Sequence, residues 1–155
     1  VKAEWATALT VKGDKLTTIE VGDLIVDVYQ VGTAKSDTGD ELVVVNYVVT
    51  NVSSTPVPLD DFLVTVSVPE GAYDTMDGES VLEGMGLNHI HNASDYNHDS
   101  PYILEPGQAF SYADVLLRPE GNAVTFGASY IPATADGELD FDNEVEEVEA
   151  KATLK

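Results

Sequence analysis

The sequence predicts an all-β protein, an antiparallel sandwich of two sheets with about seven or eight strands. The apolar residues come in short runs rich in valine, and turn residues separate these runs at intervals of roughly ten residues. Apolar residues at helical spacing are found only weakly, around 78–85. A chain of 155 residues is long enough for one core. The sequence therefore predicts a single domain over residues 1–155.

The first four strands are expected in two pairs joined by polar turns. The runs Trp5–Val11 and Leu16–Val21 flank a Gly-Asp pair that suits a tight turn. The β-branched runs Asp23–Val31 and Glu41–Asn51 flank the polar, glycine-containing segment 32–40. This second arrangement predicts a hairpin.

Alternation of apolar and polar residues predicts strands at 62–69, 108–117 and 148–154, and the run 123–131 is a further candidate strand. In a strand, residues two apart face the same side. The side chains expected to share a face are Phe62, Val64, Val66 and Val68 in the first run, Phe110 and Tyr112 in the second, and Val148, Ala150, Ala152 and Leu154 in the last.

The stretch from Glu70 to Glu105 breaks the even spacing because it shows no clear strand. It is longer than the ~12–15 residues that structureless loops rarely exceed. Such long connections are usually functional or contain small elements of their own. We expect a long inter-strand excursion here.

The formal net charge is -21, from 28 acidic and 7 basic residues. This charge argues against binding to nucleic acid or anionic lipid, both of which depend on lysine and arginine. It leaves a basic protein, a neutral envelope polymer or a cation as partner, while solubility alone is the simpler interpretation. The chain has no cysteine, which excludes disulfides and thiolate metal sites. No apolar run approaches the ~20 residues of a membrane span.

Two motifs resemble a known family. Thr-Asn-Val-Ser begins the segment Thr50–Leu59, and Leu-Glu-Pro-Gly-Gln lies within Ile103–Gly121. Asn51 can cap a strand end through its side chain, and Pro106-Gly107 suits a tight turn. Together they are similar to immunoglobulin-like domains of secreted or lipid-anchored bacterial proteins, mostly Gram-positive, many without an assigned activity. The resemblance extends roughly over residues 23–131.

This resemblance implies an immunoglobulin-like antiparallel two-sheet sandwich with no catalytic residues. It also implies an extracytoplasmic location, secreted or anchored through an N-terminal segment that has been removed. The chain opens on Val1 without a signal peptide.

The long excursion holds all three histidines of the chain, His89, His91 and His98. If the segment is extended, His89 and His91 point to the same side about 7 Å apart, so both can reach one ion. A third ligand from His98, Asp95 or Asp99 would complete a zinc or copper site.

The same loop also contains a hard-ligand pattern. Asp95, Asn97 and Asp99 stand at positions one, three and five of a calcium loop. However, Ser100 replaces the glycine of the sharp turn, and Pro106 occupies position twelve. The third interpretation is a solvated polar loop, because Asn, Asp, Ser and His satisfy backbone groups in loops. No cofactor is demanded; Zn, Cu or Ca is what this loop would hold.

Eight of the fourteen residues from Asp136 to Glu149 are acidic. An extended segment would align Asp136, Glu138, Asp140, Asp142, Glu144 and Glu146 in one stripe, with Leu139, Phe141 and Val145 on the opposite face. The apolar parity changes between Val145 and Val148, which predicts a bulge or a loop there. The stripe would be a docking edge for a basic partner, a weak calcium site, or a solvated face that prevents edge-to-edge pairing.

No G-x-S-x-G, H-E-x-x-H, P-loop or G-x-G-x-x-G motif occurs. We therefore expect no enzymatic activity. The sequence favours a non-catalytic extracytoplasmic structural, adhesive or ligand-binding module of an envelope protein. The alternative is a metal-binding domain that uses His89, His91 and His98 with Asp95 or Asp99.

Overall fold

The computed structural model of the chain describes residues 13–67, 102–132, 134–136 and 138–155. In these residues it contains eight strands and two short 3₁₀ turns, Glu120–Asn122 and Phe141–Asn143. The strands are β1 Asp14–Val21, β2 Leu24–Lys35, β3 Glu41–Asn51, β4 Val57–Ser67, β5 Tyr102–Leu104, β6 Ala109–Leu117, β7 Ala123–Pro132 and β8 Val145–Thr153. The all-β prediction is confirmed. The predicted strand at 5–11 and the weak helical spacing at 78–85 lie outside the described residues.

The strands form two four-stranded sheets, ordered β1-β2-β3-β6 and β5-β4-β7-β8. Every neighbouring pair is antiparallel, and β2 and β3 form the predicted hairpin. The chain leaves the first sheet after β3 and returns to it at β6. Because of these crossings, the pairs β3–β6 and β4–β7 join strands that are distant in sequence. The two-sheet antiparallel sandwich is confirmed.

The core lies between the sheets and is built from alternate residues of each strand. Four large aromatic side chains are fully buried there in two edge-to-face pairs. Tyr47 of β3 meets Phe126 of β7 with ring centroids 6.1 Å apart, and Phe62 of β4 meets Phe110 of β6 at 5.7 Å. This geometry suits the ring quadrupoles. Each pair joins one sheet to the other.

Strand β3 is buried on both faces. Its odd-numbered residues from Val43 to Val49 belong to the core between the sheets. Leu42 and Val44 pack with Ala113 and Val115 of β6 in a second, smaller cluster on the opposite face of the first sheet. The near-continuous apolar run of β3 is therefore typical of a central strand without a solvated side.

The predicted long connection ends earlier than expected, because Tyr102–Leu104 form β5 and pair with Val57–Leu59. The prediction of no strand through Glu105 was therefore wrong at its end. Three residues are too few for an alternating pattern to be recognised. Residues 68–101 of that connection, and Val68 with them, lie outside the described residues.

The two motifs that suggested a family meet at Asn51. Gly107 has φ +81°, and the Gln108 N–H donates to the Glu105 carbonyl at 2.9 Å, so 105–108 form the expected tight turn. The Gly107 N–H donates to the Asn51 carbonyl at 2.8 Å, and the Asn51 N–H to the Gln108 carbonyl at 3.0 Å. The turn that opens β6 is thus fixed to the end of β3.

The Asn51 side chain closes the same junction from within. It is fully buried, with 0% of its surface exposed. Its Nδ2 donates to the Thr55 carbonyl at 2.9 Å and to the Leu104 carbonyl at 2.8 Å. Its Oδ1 accepts from the Ser53 N–H at 2.9 Å and from Ser53 Oγ at 2.7 Å. The predicted capping role is confirmed, and it extends to β5.

Tyr130 joins β7 to the turn between β1 and β2. Its hydroxyl accepts a hydrogen bond from the Asp23 N–H at 3.2 Å. Burial raises the pKa of the Tyr130 phenol above its usual range, and the Asp23 hydrogen bond opposes that rise. The neutral phenol is therefore the form that the fold favours.

We expect Tyr130→Phe to lower the free energy of unfolding at neutral pH by about 1 kcal/mol, since the Asp23 N–H loses its acceptor. Because the folded pKa is raised, the unfolded chain loses the phenolic proton first. The parent protein should therefore lose stability above about pH 10, through the raised folded pKa. In Tyr130→Phe this part of the decline should disappear. Urea titrations between pH 8 and 11 measure both effects, and an unchanged alkaline decline in the variant would contradict the linkage.

Candidate binding surface on the last strand

Strand β8 is an edge strand of the second sheet, and it lies beside β1, an edge strand of the first sheet. Its inward residues Ala150 and Ala152 are partly buried against the core, and Leu154, just beyond its end, is buried within it. Val148 is 39% exposed. The predicted alternation over 148–154 is confirmed at its last three apolar positions. The outward positions of β8 are therefore free to carry charge.

The predicted break in parity is a β-bulge. Ala128 pairs with Val148, whereas Tyr130 pairs with Val145. Two residues of β8, Glu146 and Glu147, thus stand opposite Ser129. A bulge twists a strand and re-aims its side chains, which here presents two carboxylates where a regular strand would present one.

We define the acidic surface as Glu144, Glu146, Glu147 and Glu149, all of which are exposed. Lys151 is the only basic residue of β8. Two carboxylates two residues apart on a strand lie about 7 Å from each other, and in bulk water such a pair costs roughly 0.6 kcal/mol of repulsion. The acidic surface therefore concentrates negative charge on one part of the protein.

The Glu147 carboxylate lies over the outer face of the second sheet, near Thr65 and Gly127. Thr65 Oγ1 donates to Glu147 Oε2 at 3.4 Å. Gly127 lies beneath this carboxylate, and a Cβ added there would stand 2.6 Å from Glu147 Oε1. The missing side chain at residue 127 makes room for the carboxylate on the sheet.

The predicted single stripe from Asp136 to Glu146 does not form, because Phe141–Asn143 is a 3₁₀ turn and Phe141 is 64% exposed. The Asn143 side chain donates to Asp140 Oδ2 at 2.7 Å, and the Asn143 N–H donates to the Asp140 carbonyl at 3.1 Å. Such local bonds from Asn and Asp compete with an extended backbone. The continuous part of the stripe is confined to β8 and the residue before it.

A different cluster surrounds Arg118, the only arginine of the chain. Its Nε donates to Glu41 Oε1 and its Nη2 to the Lys155 backbone oxygen, each at 3.0 Å. Its Nη1 donates to Asn122 Oδ1. Each guanidinium nitrogen thus makes an internal bond, so Arg118 ties Glu41, Asn122 and Lys155 together.

The Gln30 side chain completes this tie. Its Nε2 donates to the Lys155 backbone oxygen at 2.9 Å, and its Oε1 accepts from the Lys155 N–H at 2.7 Å. An open cleft borders the cluster, lined by Asp40, Glu41, Leu117, Arg118, Pro119, Glu120, Gly121 and Asn122. Sequence reasoning missed this arrangement; the single arginine in so acidic a chain was the available signal.

The residues proposed for metal binding, His89, His91, His98, Asp95 and Asp99, all lie outside the described residues. Within the part of the chain that the structure describes, no group of three or more His, Cys, Asp or Glu side chains is arranged to hold a metal ion. In that same part, no helix has the length and apolar character needed to cross a membrane.

Comparison with known proteins gives no family. No family model matches the sequence, and neither does any curated protein. Among solved structures, Northeast Structural Genomics Consortium target SoR45 is similar with a TM-score of 0.45 and 13% identity, over 81% of this chain and 83% of that one. A protein from Archaeoglobus fulgidus is similar with a TM-score of 0.32 and 12% identity, over 88% and 98% of the two chains. Any assignment of function therefore depends on the residues of this chain.

Proposed function

We propose that the protein is a non-catalytic, extracytoplasmic module of a bacterial envelope protein, whose acidic surface binds a basic protein or an envelope polymer with cationic groups. The observation that supports it is the set of four exposed glutamates on and next to β8, in a chain of net charge -21. Complementary charge raises association rates and excludes wrong partners. Binding through complementary charge does not require a deep pocket.

An immunoglobulin-like topology is part of this proposal. The order of an immunoglobulin sandwich puts strands A, B and E in one sheet and C, F and G in the other. The orders β2-β3-β6 and β4-β7-β8 correspond to these two sets. β5 then lies beside C, as C′ does in variable domains, and β1 is an addition beside A. The junction at Asn51 supports the same proposal, because it joins the two motifs that suggested the family.

The binding proposal is tested with a lysine-rich peptide titrated by calorimetry at 50 and 500 mM NaCl. We expect measurable binding at low salt and its loss at high salt, because exposed charges are screened beyond about one Debye length. Glu146→Gln/Glu149→Gln should weaken binding roughly fivefold, at about 0.5 kcal/mol for each exposed charge.

The matched control is Asp37→Asn/Glu120→Gln, which removes the same number of carboxylates from exposed positions outside the acidic surface. We expect it to weaken binding less than twofold. Equal losses in the two variants would show that only net charge matters and would exclude a local site. Absence of binding at low salt would reject the proposal itself.

The second candidate function is metal binding, which the spacing of His89, His91 and His98 favours. We expect a chelated sample to melt about 5–10 °C below one that contains Zn²⁺ or Cu²⁺ at a hundredfold excess over Kd. His89→Ala/His91→Ala should abolish that shift and leave a Ca²⁺ shift unchanged, whereas Asp95→Asn/Asp99→Asn should abolish a Ca²⁺ shift. A melting temperature that no ion changes would exclude this function.

A further inference from the structure

The segment Asn51-Val52-Ser53 also matches the acceptor pattern of N-linked glycosylation, Asn-x-Ser/Thr. This pattern normally predicts a surface loop in a secreted protein. The chain has another match at Asn92-Ala93-Ser94.

An amide side chain has two hydrogens to donate and two acceptor positions on its oxygen. In Asn51 all four are used: Nδ2 binds the Thr55 and Leu104 carbonyls, and Oδ1 accepts twice from Ser53. None of the residue's surface is exposed. In the folded protein, Nδ2 is therefore not accessible to an enzyme or a sugar, and its bond to the Leu104 carbonyl must break before it can react.

The chemistry of transfer conflicts with these bonds. When a lipid-pyrophosphate-linked oligosaccharide is the donor, a bond forms between Asn51 Nδ2 and the sugar C1, and the bond between C1 and the pyrophosphate oxygen breaks. Nδ2 loses one proton and the lipid pyrophosphate leaves. The product amide retains one N–H, so it can no longer donate to both carbonyls, and the Leu104 carbonyl loses its Asn51 donor when the sugar takes that position. The Thr55 carbonyl keeps Ser53 Oγ as a donor. A buried carbonyl without a partner is destabilising, and the sugar itself finds no space.

We infer that Asn51 is a glycan acceptor only in the unfolded chain, and that glycosylation there and the native sandwich exclude each other. Folding withdraws the acceptor when Leu104 docks on Asn51. A glycan attached earlier prevents that docking. Occupancy at Asn51 therefore records modification that preceded folding.

The test compares the protein of residues 1–155 with its Phe62→Ala/Phe126→Ala variant, in which two core rings are lost and whose unfolding is verified by circular dichroism. Both are incubated with an oligosaccharyltransferase and its lipid-linked donor, with a free acceptor peptide in the same tube to report enzyme activity. A glutamate-specific protease releases Asn51 in the peptide 42–70 for mass spectrometry. We expect occupancy at Asn51 in the folded protein to be at least tenfold below that in the unfolded variant.

Ser53→Ala, introduced into the unfolded variant, removes the pattern and should abolish occupancy. Three results would overturn the inference. One is similar occupancy at Asn51 in the folded and unfolded chains. Another is a glycosylated protein that melts at the temperature of the unmodified one. The third is no occupancy at Asn51 in the unfolded chain while the acceptor peptide is modified.

Discussion

Replacing Asn51 by alanine is expected to destabilise the folded protein by about 3 kcal/mol. The change leaves the Leu104 carbonyl and the Ser53 N–H without this partner, and each unsatisfied buried group costs about 1–3 kcal/mol. The Thr55 carbonyl belongs to an exposed residue and keeps Ser53 Oγ as a donor at 2.9 Å. Water has partial access to the Thr55 side of the junction, so the total destabilisation should lie near the lower end of the range that these costs give. In urea the midpoint should fall while the slope m stays constant, which identifies a change in stability alone.

The control for this change is Asn143→Ala, which removes an exposed asparagine bonded to Asp140. We expect an effect within about 0.5 kcal/mol. Asn51→Asp is a stricter probe, since it retains the acceptors for Ser53 but turns a carboxylate toward two carbonyls. It should destabilise at neutral pH and recover in part on acidification. If Asn51→Ala lowered stability by less than 1 kcal/mol, the junction would not hold the sandwich together.

Raising NaCl from 20 to 500 mM is expected to increase the free energy of unfolding by about 2 kcal/mol. A net charge of -21 repels itself in the compact state, and this salt range shortens the Debye length from about 20 Å to about 4 Å. Urea titrations at several salt concentrations measure how the free energy of unfolding changes with NaCl concentration. A stability that is independent of salt, or that falls with it, would contradict the expectation.

The acidic surface should account for part of this dependence. Changing Glu144, Glu146, Glu147 and Glu149 to glutamine raises the formal net charge by four, from -21 to -17. We expect a gain on the order of 1 kcal/mol at low salt and a shallower salt slope, because four neighbouring repulsions are removed. Lys35→Gln, which adds one unit of negative charge at an exposed position, should change the slope in the opposite direction.

The strands were predictable where local pattern and flanking turns agreed. The run Glu41–Asn51 corresponds to β3 at both ends, because its β-branched residues begin and end at polar turns. The parity change in β8 foretold the bulge at Glu146 and Glu147. The pairing of β3 with β6 and of β4 with β7 was not predictable, since the choice of distant partner leaves no mark on local alternation.

The sites were predictable only in part. The sequence located the glutamates of β8, but it predicted an acidic stripe that is longer than the one observed. The stripe is interrupted by the 3₁₀ turn Phe141–Asn143, whose Asn143–Asp140 hydrogen bonds could not be foreseen from the sequence. The tie between Gln30 and Lys155 spans 125 positions of sequence, and neither residue type is distinctive. A hydrogen bond between a side chain and a distant backbone group produces no periodic pattern in the sequence, so it cannot be predicted from one.

The tie at Lys155 also has a mechanical consequence. Lys155 follows β8, a strand of the second sheet, while Gln30 belongs to β2 of the first. Tension applied at Lys155 is therefore divided between both sheets. The end of β8 cannot separate from β7 until the two Gln30 bonds and the Arg118 bond to Lys155 have broken. Up to that force, the sandwich responds at this end as one elastic body.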